Sequence, residues 1–377
     1  MSDVESILDG RKVCVCAGSG GVGKTTAAAA IALGAAARGA RVAVLTIDPA
    51  RRLATSLGLD ELGNEAHLVD PARLAGAGGR EMRGELWAVM LDAKRTFDEL
   101  IERRAPDERT RDAVLSNRIY QELSSAMAGS QEYMAMEKLY ELHEEGRFDL
   151  LVLDTPPTRN ALDFLDAPER LTRFIDSRSL QLFLRPSRTG LRIFGRSTAV
   201  MFSVLERITG VNLLRDLSEF FASFGDMTQG IRDRAKRVRE LLAGPESTFL
   251  LITSPRREAI DDAVFFHRRL SEGGMPFGGA IVNRMHGGLE DEAEVDPAAL
   301  EPELAGPLGA ELAAKVARNH ADYRKLAARD RRNVELLVRE LGGEPLIVVP
   351  HLDEDVHDIE GLLRIDRYLF GDGTLAS

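Results

Sequence analysis

The sequence predicts an α/β protein: a mostly parallel sheet of seven or more strands flanked by helices, with a helical subdomain inserted into its loops. Three observations carry this expectation. Seven short apolar runs recur along the 377 residues, most of them continuous rather than alternating, as strands buried on both faces require. Helical patterns separate the runs, which is the order of βαβ units. Two connections are much longer than a crossover needs and read as helices themselves.

The first run is Lys12–Ala17. The glycine-rich GSGGVGKT, Gly18 to Thr25, follows it and opens an alanine-rich helix over Thr25–Ala37. Arg41–Ile47 and Leu86–Leu91 are the next two runs. The first long connection, from about Asp92 to Phe148, places Met136, Leu139, Tyr140 and His143 at i, i+3, i+4 and i+7 of one helix face. Asp149–Leu153 is the fourth run. The second long connection, from about Ala161 to Ser247, carries a stripe of Leu213, Leu217, Phe220 and Phe224, widened by Leu214 and Phe221. Thr248–Thr253, Gly279–Val282 and Pro345–Val349 complete the set. Leu289 to Glu303, with seven acidic residues and two prolines, reads as a solvated loop. A long helix over Gly309–Leu341 puts Leu312, Val316, Tyr323, Leu326, Leu337 and Leu341 near one face. The chain returns to the sheet after each insertion. Residues 1–377 are therefore expected to form a single domain, its helical subdomain built from insertions at about 92–148 and 161–247.

Composition narrows the function classes. A net charge of −11 argues against a nucleic-acid partner. The two cysteines, Cys14 and Cys16, lie two apart in one strand and share a face. That spacing suits neither a disulfide nor, with two thiols alone, a structural zinc site, so both are expected in the core of a protein in a reducing, cytoplasmic compartment. MSDVESILDGRKV has no apolar signal core, and no run approaches the roughly 18 apolar residues of a spanning helix. The expectation is a soluble protein with no integral membrane segment.

The stretch GSGGVGKT fits G-x-x-x-x-G-K-[ST] between a strand and a helix, the context the motif requires. Its glycines let backbone N–H groups turn inward around phosphates, and the helix N-terminus favours an anion. Lys24 would reach the β- and γ-phosphates, and the Thr25 hydroxyl would ligate Mg²⁺. Two later strands end in carboxylates: Asp48 in LTIDPARR and Asp154 in LLVLDTPPTR. In a parallel sheet both emerge at the carboxyl edge, beside the glycine loop. Each is suited to hold a Mg²⁺-bound water or to position the attacking water; the competing reading of each is a cap at a strand–helix turn. A carboxylate close to Mg²⁺ stays ionised, so water is oriented rather than deprotonated early.

These pieces together resemble the ArsA family of anion-pump ATPases, in the deviant Walker A class of P-loop NTPases. That family includes the arsenite pump ATPase and the ATPase that targets tail-anchored membrane proteins. The likeness lies in GSGGVGKTT, IDPARR, DTPPTRNALDFLDAPE, AIVNRM and VVPHLDEDVHDIEGL. It implies a nucleotide held by Gly20, Gly21, Val22, Gly23, Lys24, Thr25 and Thr26, with Asn283 and its neighbour Arg284 toward the adenine. Pro350 and His351 would stand in the loop that closes over adenosine. Asp48 inherits a water-positioning role and Asp154 a magnesium-facing one, so Asp48, Lys24 and Asp154 are the catalytic candidates. Thr25, Asp48 and Asp154 are the Mg²⁺ candidates, the two aspartates through water. The chain departs from the family where a signature lysine would cross to the partner's nucleotide, because Ser19 stands there. Arg159 and Asn160 replace a Gly-His pair, and Arg51 and Arg52 replace a histidine and a small polar residue. One expectation is that Arg51, Arg52 or Arg159 supplies the missing charge as an arginine finger; the alternative is that they pair with carboxylates such as Asp163.

The resemblance implies an ATPase using ATP and Mg²⁺. One copy of the module points to a homodimer, or a heterodimer with a paralogue. The apolar residues between Phe183 and Met227 are either a cradle for a tail-anchored client or simply the core of the insertion. Two alternatives stand beside that client: a metal or oxyanion (arsenite-type) efflux ATPase, and an ATP-binding scaffold for a paralogous ATPase. The first lacks clustered thiolates, and no CxxC pair lies between Asn283 and Pro350 for a zinc-linked dimer.

Overall fold

The computed structural model describes residues 3–47, 52–59, 62–76, 82–118, 120–121, 130–156, 228–287 and 297–371. In chain order the described elements are α1 Val4–Leu8, β1 Val13–Ala17, α2 Lys24–Ala37, β2 Arg41–Thr46, α3 Arg52–Ser56, β3 His67–Leu68, α4 Pro71–Gly76, β4 Glu85–Met90, α5 Ala93–Arg104, α6 Glu108–Leu115, α7 Ser130–Glu145 and β5 Leu150–Asp154. There follow α8 Thr228–Ala243, β6 Ser247–Thr253, α9 Arg257–Glu272, β7 Phe277–Met285, α10 Pro297–Leu308, α11 Ala310–Leu341, β8 Leu346–Pro350 and α12 Ile359–Leu369.

The strands form one eight-stranded sheet in the order β3-β4-β2-β5-β1-β6-β7-β8. All neighbours are parallel except β3 and β4. Every apolar run read as a strand is one, with ends shifted by a residue or two and β7 extended at both ends. The addition is β3, a two-residue exposed antiparallel edge too short to leave a periodic trace in sequence.

The strands divide two cores. Val13, Val15 and Ala17 of β1 face a layer that includes α5, α7, α8, α9 and the C-terminal part of α11. Cys14 and Cys16 face the opposite layer, with α2 and α12. Period-two alternation along a fully buried strand produces this division. Both thiols are free and buried, and the neighbouring Cys14 together with burial pushes the Cys16 thiol well up. Asp92, Asp107 and Asp358 cap α5, α6 and α12 by accepting from backbone N–H groups three residues on.

The face of α7 follows the sequence pattern: Met136, Leu139 and Tyr140 are buried and His143 is half-buried. The stripe Leu213 to Phe224 lies outside the described residues. One expectation needs correction. The acidic stretch Leu289 to Glu303 is not loop throughout, because α10 begins at Pro297. Proline is favourable at the first helical position, and α10, which lies against α11, carries Pro302 and Pro307 inside it. The stripe along α11 is not uniformly buried. Leu337 and Leu341 are in the core, whereas Leu312, Val316, Tyr323 and Leu326 are 36–48% exposed. The helix has 32 residues, about 48 Å, and packs on α9, α10 and β7; its C-terminal part reaches the core, while in its first half the buried side chains are Ala313 and Ala317. Among the described residues no helix is long and apolar enough to cross a membrane.

Candidate nucleotide-binding site

The site is built at the carboxyl edge of the central strands. β1 ends at Ala17, and the glycine loop turns from there into α2. Gly18, Gly21 and Gly23 hold φ of 157°, 77° and 93°. A Cβ on Gly18 would lie 2.0 Å from the Ile252 carbonyl oxygen, and one on Gly23 would lie 2.3 Å from Asn283 Nδ2. The loop therefore threads between β6 and β7 where only glycine fits. Gly23 is the N-cap of α2 and offers no side-chain cap, which leaves the first N–H groups of the helix for a ligand. Lys24 is buried, and its Nζ donates to the Ser19 carbonyl at 2.8 Å.

Beneath the loop lies a compact polar set. Asp154 ends β5, is 1% exposed, and its Oδ2 accepts from Thr25 Oγ1 at 2.7 Å and from Thr46 Oγ1 at 2.9 Å. Thr155 Oγ1 donates to the Cys16 carbonyl at 2.9 Å, tying the start of the next loop to β1. A hydroxyl and a carboxylate are hard oxygen donors of the kind Mg²⁺ takes. A Cβ at Gly18 or Gly23 would crowd the loop, and Thr25 and Asp154 offer oxygen donors, so the residues present fit a Mg-nucleotide.

Two cavities open beside the loop. The first, 510 Å³, is lined by Gly21, Gly23, Lys24, Thr25, Thr26, Asn283, Arg284, Pro350 and His351, all expected from sequence. Arg52, Thr55 and Ser56 of α3 and residues 352 and 354–357 line it too. Gly20 and Val22 line instead the second cavity, 750 Å³, on the outer side of the loop with Ser19. Val22 still belongs to the site, because Asn283 Nδ2 donates to its carbonyl at 2.9 Å. Asp154 sits behind Thr25 rather than on the cavity wall. Asp48, Arg51, Arg159, Asn160 and Asp163 lie outside the described residues; of the three proposed finger arginines, Arg52 lines the first cavity.

Sequence reasoning missed three participants. Thr46 is a hydroxyl at the end of β2, and only its contact with Asp154 marks it out. His286 and Asp330 are 44 residues apart and meet at 2.7 Å between Nδ1 and Oδ2. No local pattern signals such a pair.

A parallel sheet whose central strand feeds a glycine loop, a buried lysine and a hydroxyl-bearing helix start is the α/β fold of the phosphate-loop NTPases. Within that class the pattern of one family extends over most of the sequence. The family described as anion-transporting ATPase (ArsA ATPase) matches residues 11–298, and the chain belongs to it. It is 33% identical over 175 residues to a candidate arsenical pump-driving ATPase of Halobacterium salinarum, covering 46% of this chain and 26% of that protein. It is 27% identical over 234 residues to ATPase GET3 of Malassezia globosa, covering 61% of each. With ATPase GET3C of Arabidopsis thaliana it shares 25% over 294 residues, 73% of this chain and 67% of that one. The chain thus spans only about a quarter and three-fifths of the length of the first two relatives.

Proposed function

We propose that this chain is a Mg²⁺-dependent ATPase, acting in the cytoplasm as an ATP-driven dimer that binds or targets a hydrophobic, tail-anchored membrane client. The observation that carries the ATPase reading is the buried Lys24 on its glycine loop, directly above the Thr25–Asp154–Thr46 hydrogen-bond set.

Each residue has a physical task. ATP phosphates draw Lys24 away from the Ser19 carbonyl, which exchanges a neutral acceptor for an anionic one. The N–H groups of the loop and of the α2 start surround the same phosphates. Thr25, Asp154 and Asp48 would hold Mg²⁺, the aspartates through water, and the ion would neutralise charge on the β- and γ-phosphates. Thr46 and Thr25 hold the Asp154 carboxylate in place by donating to its Oδ2. Asp48 orients the attacking water. Pro350 and His351 flank the adenosine, and Asn283 joins the base end of the cavity to the loop at Val22.

In this reading the γ-phosphate biases a two-state switch, and the segments after Asp48 and Asp154 would pass that movement to the helical subdomain. The switch in this reading takes two chains, identical or paralogous. The client reading rests on the family resemblance and on the apolar residues between Phe183 and Met227. About 20 exposed apolar residues at roughly 1.5–3 kcal/mol each exceed any single domain's stability, so such a segment requires shielding. An oxyanion pump would need soft ligands, and both cysteines of the chain are buried in β1.

The test uses Asp48→Asn. Phosphate release should fall by about 10²-fold or more while Mg-ATP binding persists; unchanged turnover removes Asp48 from its role. Tagged Asp48→Asn, purified from its native host with Mg-ATP, should bring down membrane proteins with one C-terminal apolar segment. Recovery of only a paralogous ATPase or a soluble partner replaces the client by the scaffold role.

A further inference from the structure

Asn283 and Arg284 are consecutive on β7, and consecutive strand side chains point to opposite faces. Yet both line the first cavity. An extra residue in β7 explains this. Val282 pairs with Val348 and Met285 with Pro350, three steps along β7 against two along β8. A bulge of this kind re-aims a side chain. Arg284 takes φ 64° and is the one non-glycine residue at positive φ among the described residues. Such backbone is unfavourable for a residue with a Cβ, and strain of this sort concentrates at ligand sites.

The strain places a cation. Arg284 Nη1 donates to the Gly21 carbonyl at 3.4 Å, so the guanidinium reaches the phosphate loop. Gly21, Arg284, His351 and Asp355 line both cavities and therefore form the wall between them. His351 is fixed from behind. Its N–H donates to the Met285 carbonyl at 2.9 Å, and its ring stands 5.0 Å from that of His286. His286 is anchored in turn by Asp330, a fully buried carboxylate that also accepts from Arg329 at 3.0 Å.

We infer that Arg284 is the nucleobase platform of this site: the bulge and the left-handed backbone hold its guanidinium, pinned on Gly21 and flanked by His351, where a planar heteroaromatic base stacks on it. A guanidinium is the cation that stacks on aromatic faces. Arg284 is then a specificity-determining residue that separates nucleotides from bare polyphosphates. His286 and Asp330 are positioning residues behind the wall. The inference rests on the nucleotide reading above.

The experiment is calorimetric titration of wild type, Lys24→Ala and Arg284→Gly with Mg-ATP, Mg-ADP and Mg-tripolyphosphate, alongside the ligand-free melting temperature. Glycine accepts φ 64° freely, so Arg284→Gly should melt no lower than wild type. Its affinity for ATP and ADP should fall alike by about tenfold, with tripolyphosphate unchanged. Wild-type nucleotide affinity in Arg284→Gly overturns the platform, and so does an equal loss on tripolyphosphate, which would make Arg284 a phosphate contact. A markedly lower melting temperature overturns it too, since the residue would then serve the fold. Because Lys24→Ala tests the loop separately, a wild type that binds ATP while Arg284→Gly matches it sinks the platform alone; a wild type that binds no nucleotide sinks both readings.

Discussion

Replacing Gly23 with alanine tests whether the phosphate loop and β7 are one mechanical unit. Gly23 sits at φ 93° and ψ 29°, a conformation that costs a residue with a Cβ about 1–2 kcal/mol. The new methyl would stand 2.3 Å from Asn283 Nδ2 and 3.5 Å from its Cγ. Asn283 must turn away, and its 2.9 Å hydrogen bond to the Val22 carbonyl is lost. Stranding a buried acceptor costs about 1–3 kcal/mol. The two terms give a loss of about 2–5 kcal/mol, read from urea unfolding. A double-mutant cycle separates them. Asn283→Ala gives up the same hydrogen bond and vacates the space, so the double variant should be less destabilised than the sum of the single ones by about 1–3 kcal/mol. Additivity within about 0.5 kcal/mol would refute the reasoning, because the loop and Asn283 would then be independent.

The two halves of α11 make a paired expectation. Leu337→Ala should cost about 2–5 kcal/mol, as for any fully buried leucine, whereas Leu312→Ala on the same stripe should stay within about 0.5 kcal/mol; equal losses in chemical unfolding would mean that the first half is covered. A third expectation concerns pH. Burial pushes the Glu141 carboxyl up, but Arg103 and Lys138 together outweigh it and hold the group below its ordinary range. The folded protein thus binds this proton less readily than the unfolded chain, and the stabilisation is present above the ordinary carboxylate range and lost as pH falls through the depressed folded value. The stability gap between wild type and Glu141→Gln should therefore close on acidification; a gap that widens would contradict the pairing.

Much of this molecule was legible because its information is local. Continuous apolar runs fix strands buried on both faces whatever their neighbours are, and the glycine loop is contained in eight residues. What escaped depends on what lies opposite. Leu312 and Leu337 occupy equivalent positions on one helix, and the elements packed beside each decide that one is exposed and the other enclosed. α10 was hidden by its acids and prolines, which describe the solvent side of a helix as well as they describe a loop. In the site, Lys24, Thr25 and Asn283 announce themselves by motif and resemblance. Thr46, His286 and Asp330 do not, because their meaning arises in contacts between segments that no spacing rule connects. The left-handed Arg284 is of the same kind: the bulge that bends it is a mismatch between two strands, and neither strand records it alone.

The position of β1 has a consequence for biosynthesis. It is the first of the described strands in chain order, yet both of its neighbours, β5 and β6, are encoded far downstream. The second flank is complete only about 230 residues after β1 ends, a delay of roughly 10–50 s at about 5–20 residues per second. Cys14 and Cys16 can meet α2 early and β5 can fill one edge of β1 later, but the edge that pairs with β6 stays open for the whole interval. The glycine loop waits with that edge, since Gly18 is seated against Ile252 of the last flanking strand. A nascent chain stalled before β6 lacks the seat of Gly18 and is expected to bind nucleotide more weakly than the full chain.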